Sequence, residues 1–316
     1  MGRVSVLLLA LYRDADEGDK AVVTVFFEAA RPRTLPAAFA PVIVGTAAAA
    51  TPIVDLSALN SALALLVALS LQVAVNYAND YFDGTRGVDT DARLGPRRAV
   101  ATGLVSPKQM RVAMLVAFGM AVLAGTALAF RVGPELFVVG GVAVLGALGY
   151  SGGKRPYASR GLGELSVFIF FGLIATVGSA YVQDGTLSVL PVLTATPVGF
   201  FAVALLVVNN LRDIPTDREV GKRTLAVALG ERRTRALFSA IVLSAALWPV
   251  PLALYMESGW PLLGVVTLAV SIPAVVKTQN GASGRALIGV LELTGRAQLL
   301  FAVTLAVGLL RAKGAA

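Results

Sequence analysis

Ala62-Leu-Ala-Leu-Leu-Val-Ala-Leu-Ser-Leu-Gln-Val-Ala-Val-Asn76-Tyr-Ala-Asn79-Asp80-Tyr-Phe-Asp83 runs an apolar stretch directly into a cluster of amides and carboxylates. A charge-free stretch of this length reads as a helix that crosses a bilayer. A second junction of the same form follows: Phe200 to Val208 leads into Asn209-Asn-Leu-Arg-Asp213-Ile-Pro-Thr-Asp217. Carboxylates at the edge of lipid are costly to desolvate, so two such clusters point to a bound cation and an anion that shares it.

The composition agrees with a membrane protein. Of 316 residues, 56% are hydrophobic and 15% charged, and the mean hydropathy is +0.76. Windows of about 20 apolar residues predict an all-α, polytopic bundle of nine transmembrane helices. They cover roughly 34–50, 58–80, 108–130, 134–150, 164–182, 188–211, 234–255, 259–277 and 295–312, with short loop helices over the polar end. Ser106-Pro-Lys-Gln109 predicts a capping box with proline at the first helical position. Residues 1–24 read as a loose extension, Ala21 to Ala30 as a short interfacial helix, and 25–316 as one domain.

Cysteine and histidine are both absent. That excludes disulfides, thiolate or imidazole metal ligands and Ser-His-Asp or Cys-His catalysis. All but Arg131, Arg311 and Lys313 of the 27 Lys and Arg fall in the N-terminal arm and alternate loops, which predicts that both clusters face the cytoplasm from the cell membrane. The net charge of +8 is therefore read as topogenic, with no nucleic-acid partner.

Asn76 and Asp80 are four apart, and Asp83 lies one turn on, giving a stack of oxygen ligands on one helix face. Asn209, Asp213 and Asp217 repeat the step, with Pro215 expected to end or kink the helix before Asp217. Repulsion among such carboxylates is relieved by a divalent cation. Mg²⁺ fits best, since it takes few carboxylates, keeps waters and shares phosphates. Arg86, Arg93, Arg97 and Arg98 flank the first cluster, and Arg212, Arg218, Lys222 and Arg223 the second. Acids for metal and cations for phosphate oxygens suit a diphosphate. The bland alternative is loop ion pairing at the membrane surface, which matched clusters on one side disfavour. In Tyr150 to Glu164, Lys154 is a further diphosphate contact and Tyr157 a substrate contact, against the reading of an anchored hairpin. Glu164 reads as a helix-dipole cap, and Phe168, Phe170 and Phe171 as packing residues.

These residues resemble the UbiA superfamily of membrane prenyltransferases, on Asn76 to Asp89 and Asn209 to Asp217. The stretches Arg31-Pro-Arg-Thr-Leu-Pro36, Asn79-Asp-Tyr-Phe-Asp83-Gly, Gly95-Pro-Arg-Arg98, Tyr150 to Glu164, and Gly221 to Gly230 resemble the members that serve menaquinone synthesis. The resemblance implies transfer of a polyprenyl group from its diphosphate to 1,4-dihydroxy-2-naphthoate. It also implies Mg²⁺ on Asp80, Asp83, Asp213 and Asp217, and a prenyl tail in a groove open to membrane lipid. Other aromatic acceptors, or a cation-coupled transporter with its site near the midplane, are the alternatives.

Overall fold

A computed structural model describes residues 23–50, 52–87, 98–153 and 156–314. Among them every regular element is helical. A short helix, α1 (23–29), is followed by a 3₁₀ turn, Pro32–Thr34, and α2 (Pro36–Ala48). Then come α3 (Ala58–Thr85), α4 (Pro107–Arg131), α5 (Glu135–Ser151), α6 (Gly163–Asp184) and α7 (Val189–Glu219). The chain closes with α8 (Leu225–Tyr255), α9 (Trp260–Gln279) and α10 (Ala286–Gly314).

Seven of these, α3, α4 and α6 to α10, are long and apolar enough to cross a membrane. At 1.5 Å per residue the 13 residues of α2 and 17 of α5 reach only about 20 and 26 Å, short of the ~30 Å hydrocarbon core. Leu123, Phe130, Val138, Leu145 and Leu254 are exposed on the outside of the bundle, where lipid replaces water as the favourable neighbour. The predicted cap of α4 is present: Ser106 accepts from the Gln109 amide, and Gln109 reaches back to the Ser106 amide.

The core is built around α7, with α2, α8 and α10 against it. Phe201 of α7 and Phe301 of α10 are fully buried, their rings 5.2 Å apart. Apolar all round, α7 has to be enclosed by other helices. It continues through Pro215 to Glu219, so of the expected end or kink at that proline the end is corrected. Proline's fixed φ suits a helix. The local cost is one lost backbone hydrogen bond and crowding at the Leu211 carbonyl, and buried neighbours hold the turn in place. Asp217 therefore stays on the helix that carries Asp213. A true break occurs instead at Gly230 in α8, where φ is 75° and ψ 168°.

In α6, Phe168–Ile174 is π-helical. A wider turn of this kind re-aims side chains within an otherwise regular helix. Here it faces a close helix contact in the core: a Cβ on Gly172 would lie 2.7 Å from the Gly199 Cα of α7. Gly172→Val is expected to lower stability by about 1–3 kcal/mol through overpacking. Thermal unfolding in detergent measures this.

Candidate active site

Asp83 stands near the end of α3, two residues before the helix stops at Thr85. Its carboxylate meets three cations: Arg86 Nη2 at 3.1 Å, Lys222 Nζ at 3.1 Å and Arg98 Nη2 at 3.5 Å. Lys222 comes from the far cluster. A turn after α7, with Gly221 at φ 70°, places Lys222 N on the Asp217 carbonyl and Gly221 N on that of Arg218. This is a Schellman ending, for which glycine is favoured because it enters the left-handed region without cost. It aims Lys222 across the gap from α7 to α3.

On α7, Arg212 grips Asp213 with two hydrogen bonds, Nε to Oδ1 at 2.7 Å and Nη2 to Oδ2 at 2.9 Å. Both groups are buried, as is Asp217. Such a planar fork is specific to arginine.

These groups open onto a cavity of about 410 Å³, lined by Asp83, Arg98, Asp213, Asp217 and Lys222 among others. A second cavity of about 260 Å³ is mainly apolar, with Leu71, Val139, Phe170, Phe171, Gly178 and Leu205 in its walls. Arg31, Thr34, Asn79, Tyr150, Leu206 and Asn209 line both, so the two meet at a shared neck.

The structure separates residues that sequence spacing had grouped. At about 100° per residue, Asn76, Asn79, Asp80 and Asp83 span an arc of roughly 100° on α3, wide enough to serve three neighbours. Asn79 and Asp83 face the polar cavity. Asp80 instead accepts from the backbone amides of Ala99 at 3.0 Å and Val100 at 2.9 Å, which fastens the loop that carries Arg98. Asn76 donates to the Ala30 carbonyl at 2.8 Å and lines only the apolar cavity. The single oxygen stack Asn76-Asp80-Asp83 is thus corrected.

Arg86 also moves out of the expected phosphate role. Its guanidinium bonds the carbonyls of Phe82 (2.9 Å), Gly153 (3.1 Å) and Ser151 (2.5 Å), bracing α3 against the end of α5. Tyr157 lines the apolar cavity and donates its hydroxyl to the Gly146 carbonyl at 2.5 Å. Burial raises its phenol above the usual range, which keeps it a neutral donor. Arg97, Lys154, Arg93 and Asp89 lie outside the described residues, as do residues 1–22.

Several contributors were either not singled out in the sequence or given another role there. Asn79 shares the four-residue step with Asp83, a signal that was present but indistinguishable from the Asn76–Asp80 step. Ser151 donates to its amide oxygen. Glu164, expected to cap a helix, accepts from Asn210 of α7 at 2.9 Å. Phe170 and Phe171, expected as packing, are cavity wall because the π-helical turn carries them there. A Cβ on Gly146 would fall 2.3 Å from the Phe170 ring, so that glycine makes room for it.

The donor set suits a hard divalent cation. Carboxylates and amide oxygens from two helices face one another across water-accessible space, with neither thiolate nor imidazole. Among the described residues no three acids converge as a closed cage. An ion that retains waters and borrows phosphate oxygens does not need one.

Comparison with known proteins gives a consistent result. The UbiA prenyltransferase family matches residues 38–288. A Mycobacterium tuberculosis protein named 1,4-dihydroxy-2-naphthoate octaprenyltransferase is 42% identical over 88% of this chain and 94% of its own. An Escherichia coli protein of the same name is 39% identical over 70% and 73%. Among solved structures, a UbiA homologue from Archaeoglobus fulgidus bound to DMAPP and Mg²⁺ superposes with a TM-score of 0.64 at 13% identity, covering 89% of this chain and 99% of that one. One from Aeropyrum pernix also gives 0.64, at 17% identity, covering 87% and 96%. The all-helical fold, the paired acidic clusters and the match over most of the chain place this protein in the UbiA prenyltransferase family.

Proposed function

We propose that the protein transfers a polyprenyl group from its diphosphate to 1,4-dihydroxy-2-naphthoate, releasing pyrophosphate and carbon dioxide and leaving demethylmenaquinol in the membrane. The observation that carries this reading is the neck. A polar, cation-rich cavity and an apolar cavity share one wall, as a molecule with a diphosphate head and an isoprenoid tail requires.

Asp83 on one side and Asp213 and Asp217 on the other, with Asn79 and Asn209, would hold Mg²⁺. When bound, Mg²⁺ supplies charge neutralisation on the diphosphate oxygens. Lys222, Arg98 and Arg212 add fixed positive charge beside the same oxygens, so they favour the charge that grows on the leaving group. Arg97 and Lys154, which lie outside the described residues, are assigned by sequence alone to the same diphosphate. Tyr150, Phe170 and Phe171 wall the neck and tail cavity, excluding water from an electron-poor allylic carbon and offering it π faces. The ring carbon that bears the carboxylate forms the new bond as the C–O bond to diphosphate breaks. Loss of carbon dioxide then returns its bonding pair to the ring, and aromaticity is restored.

In this reading α2 and α5 complete nine spans, seated where the bilayer thins around them. Residues 25–316 form one domain, and the polar cavity opens to the cytoplasm from the cell membrane.

Membranes containing the protein, given a prenyl diphosphate, Mg²⁺ and separate aromatic acids, test the assignment. Prenylated product is expected with 1,4-dihydroxy-2-naphthoate and is expected to vanish on chelation with EDTA. Product with 4-hydroxybenzoate alone would overturn the acceptor assignment.

A further inference from the structure

Arg31 carries the one charged side chain among the described residues that line both cavities, and its backbone is in the left-handed region, φ 55° and ψ 69°. That conformation is uncommon for a residue other than glycine and is held only where the surroundings enforce it. Three fastenings from neighbouring side chains enforce it here. Thr34 Oγ1 donates to the Arg31 carbonyl at 2.9 Å, Gln72 Nε2 donates to Thr34 Oγ1 at 2.9 Å, and Asn76 Nδ2 donates to the Ala30 carbonyl at 2.8 Å. Pro32 follows directly and fixes the exit of the turn. The neighbouring Arg33 lines only the polar cavity, and its Nε pairs with Glu292 of α10 at 2.9 Å.

We infer that Arg31 binds the carboxylate of the aromatic acceptor, and that Thr34, Gln72 and Asn76 are positioning residues that hold its turn over the neck. The inference rests on the acceptor being an aromatic acid that reacts at its carboxyl-bearing carbon. With the diphosphate in the polar cavity and the isoprenoid tail in the apolar one, the carbon under attack lies at the neck. The attacking ring carbon must come within bonding distance of it, and its carboxylate is one bond further away. The acceptor therefore brings a negative charge to the neck, where Arg31 lines the wall. Lys222, Arg98 and Arg212 line only the polar cavity, where the diphosphate lies. Planar guanidinium matches planar carboxylate in two parallel hydrogen bonds, which also orients the ring.

Steady-state kinetics of Arg31→Gln, Arg31→Lys and Thr34→Val, with each substrate varied in turn, tests this. Arg31→Gln is expected to raise KM for 1,4-dihydroxy-2-naphthoate roughly 10- to 100-fold, the range for losing a charge-assisted hydrogen bond, while KM for the prenyl diphosphate stays unchanged. Arg31→Lys is expected to recover part of the loss. Thr34→Val is expected to shift the same KM in the same direction by less. Naphthalene-1,4-diol, which lacks the carboxylate, is expected to inhibit wild type and Arg31→Gln with equal constants. A rise in KM for the diphosphate would assign Arg31 to the other substrate and overturn the inference. So would equal weakening of acid and diol, or an unchanged KM for the acid. Wild-type protein that turns over no aromatic acid would instead overturn the reading of the site on which the inference rests.

Discussion

Asp83→Ala is expected to reduce prenyl transfer about 10³-fold, the upper scale for removing one preorganised charge-stabilising group, while the protein remains inserted and folded. Asp83 is the carboxylate on which Lys222, Arg98 and Arg86 converge, and it joins the first acidic cluster to the second through Lys222. Its loss removes an oxygen donor for the cation and releases three positive charges from fixed positions. Asp83→Asn, which keeps the shape but not the charge, is expected to be nearly as inactive. Turnover with a prenyl diphosphate, beside thermal unfolding in the same detergent, measures both halves. Activity within tenfold of wild type would remove Asp83 from the reaction. Asp80→Ala acts differently, because Asp80 lines neither cavity and its oxygens instead accept from the amides of Ala99 and Val100. Its expected signature is a loosened loop, a lower unfolding temperature and a smaller loss of turnover than at Asp83.

The second large effect concerns chain length. Gly178 lies 15 residues after the start of α6 at Gly163, roughly 22 Å along the helix axis, and lines the apolar cavity. A Cβ there meets nothing within 4 Å, so a large side chain enters the cavity rather than the protein core. Gly178→Phe is expected to lower kcat/KM for a long polyprenyl diphosphate roughly 100-fold, as overfilling a packed apolar space does. Geranyl diphosphate, whose tail ends nearer the neck, is expected to keep its kcat/KM within a few-fold. Competition between the two donors, read by mass spectrometry of the lipid products, gives the ratio directly. Equal losses on both donors would show that the tail runs elsewhere.

The helices were legible because lipid imposes a simple rule, long apolar runs with internally satisfied backbones. Leu63 to Val75 and Phe200 to Val208 could be read from composition alone, and Ser106 with Gln109 marked a helix start chemically. The acidic clusters were legible as anomalies of cost. Which members of a cluster face the cavity was not. Asn76, Asn79, Asp80 and Asp83 share one arc of α3, and their division among the Arg31 turn, the cavity and the 98–100 loop depends on what the tertiary fold brings against that arc. Pro215 misled for a related reason: local propensity favours a stop, but the buried surroundings of α7 outweigh one lost hydrogen bond. Phe170 and Phe171 were read as packing because aromatic residues in an apolar helix more often pack in lipid or between helices, and a π-helical turn is not visible in composition. Arg31 carries a left-handed backbone that sequence would assign to glycine, so its place at the neck emerges only from the side chains that hold it there.

The central claim is that a prenyl diphosphate and a carboxylate-bearing ring meet at the neck between the two cavities. Turnover of 1,4-dihydroxy-2-naphthoate labelled in its carboxyl carbon tests it most directly. One labelled carbon dioxide is expected for each pyrophosphate released and each prenylated lipid formed, with all three lost together in Asp83→Ala. A prenylated product that retains the label, or carbon dioxide release without prenyl diphosphate, would contradict it.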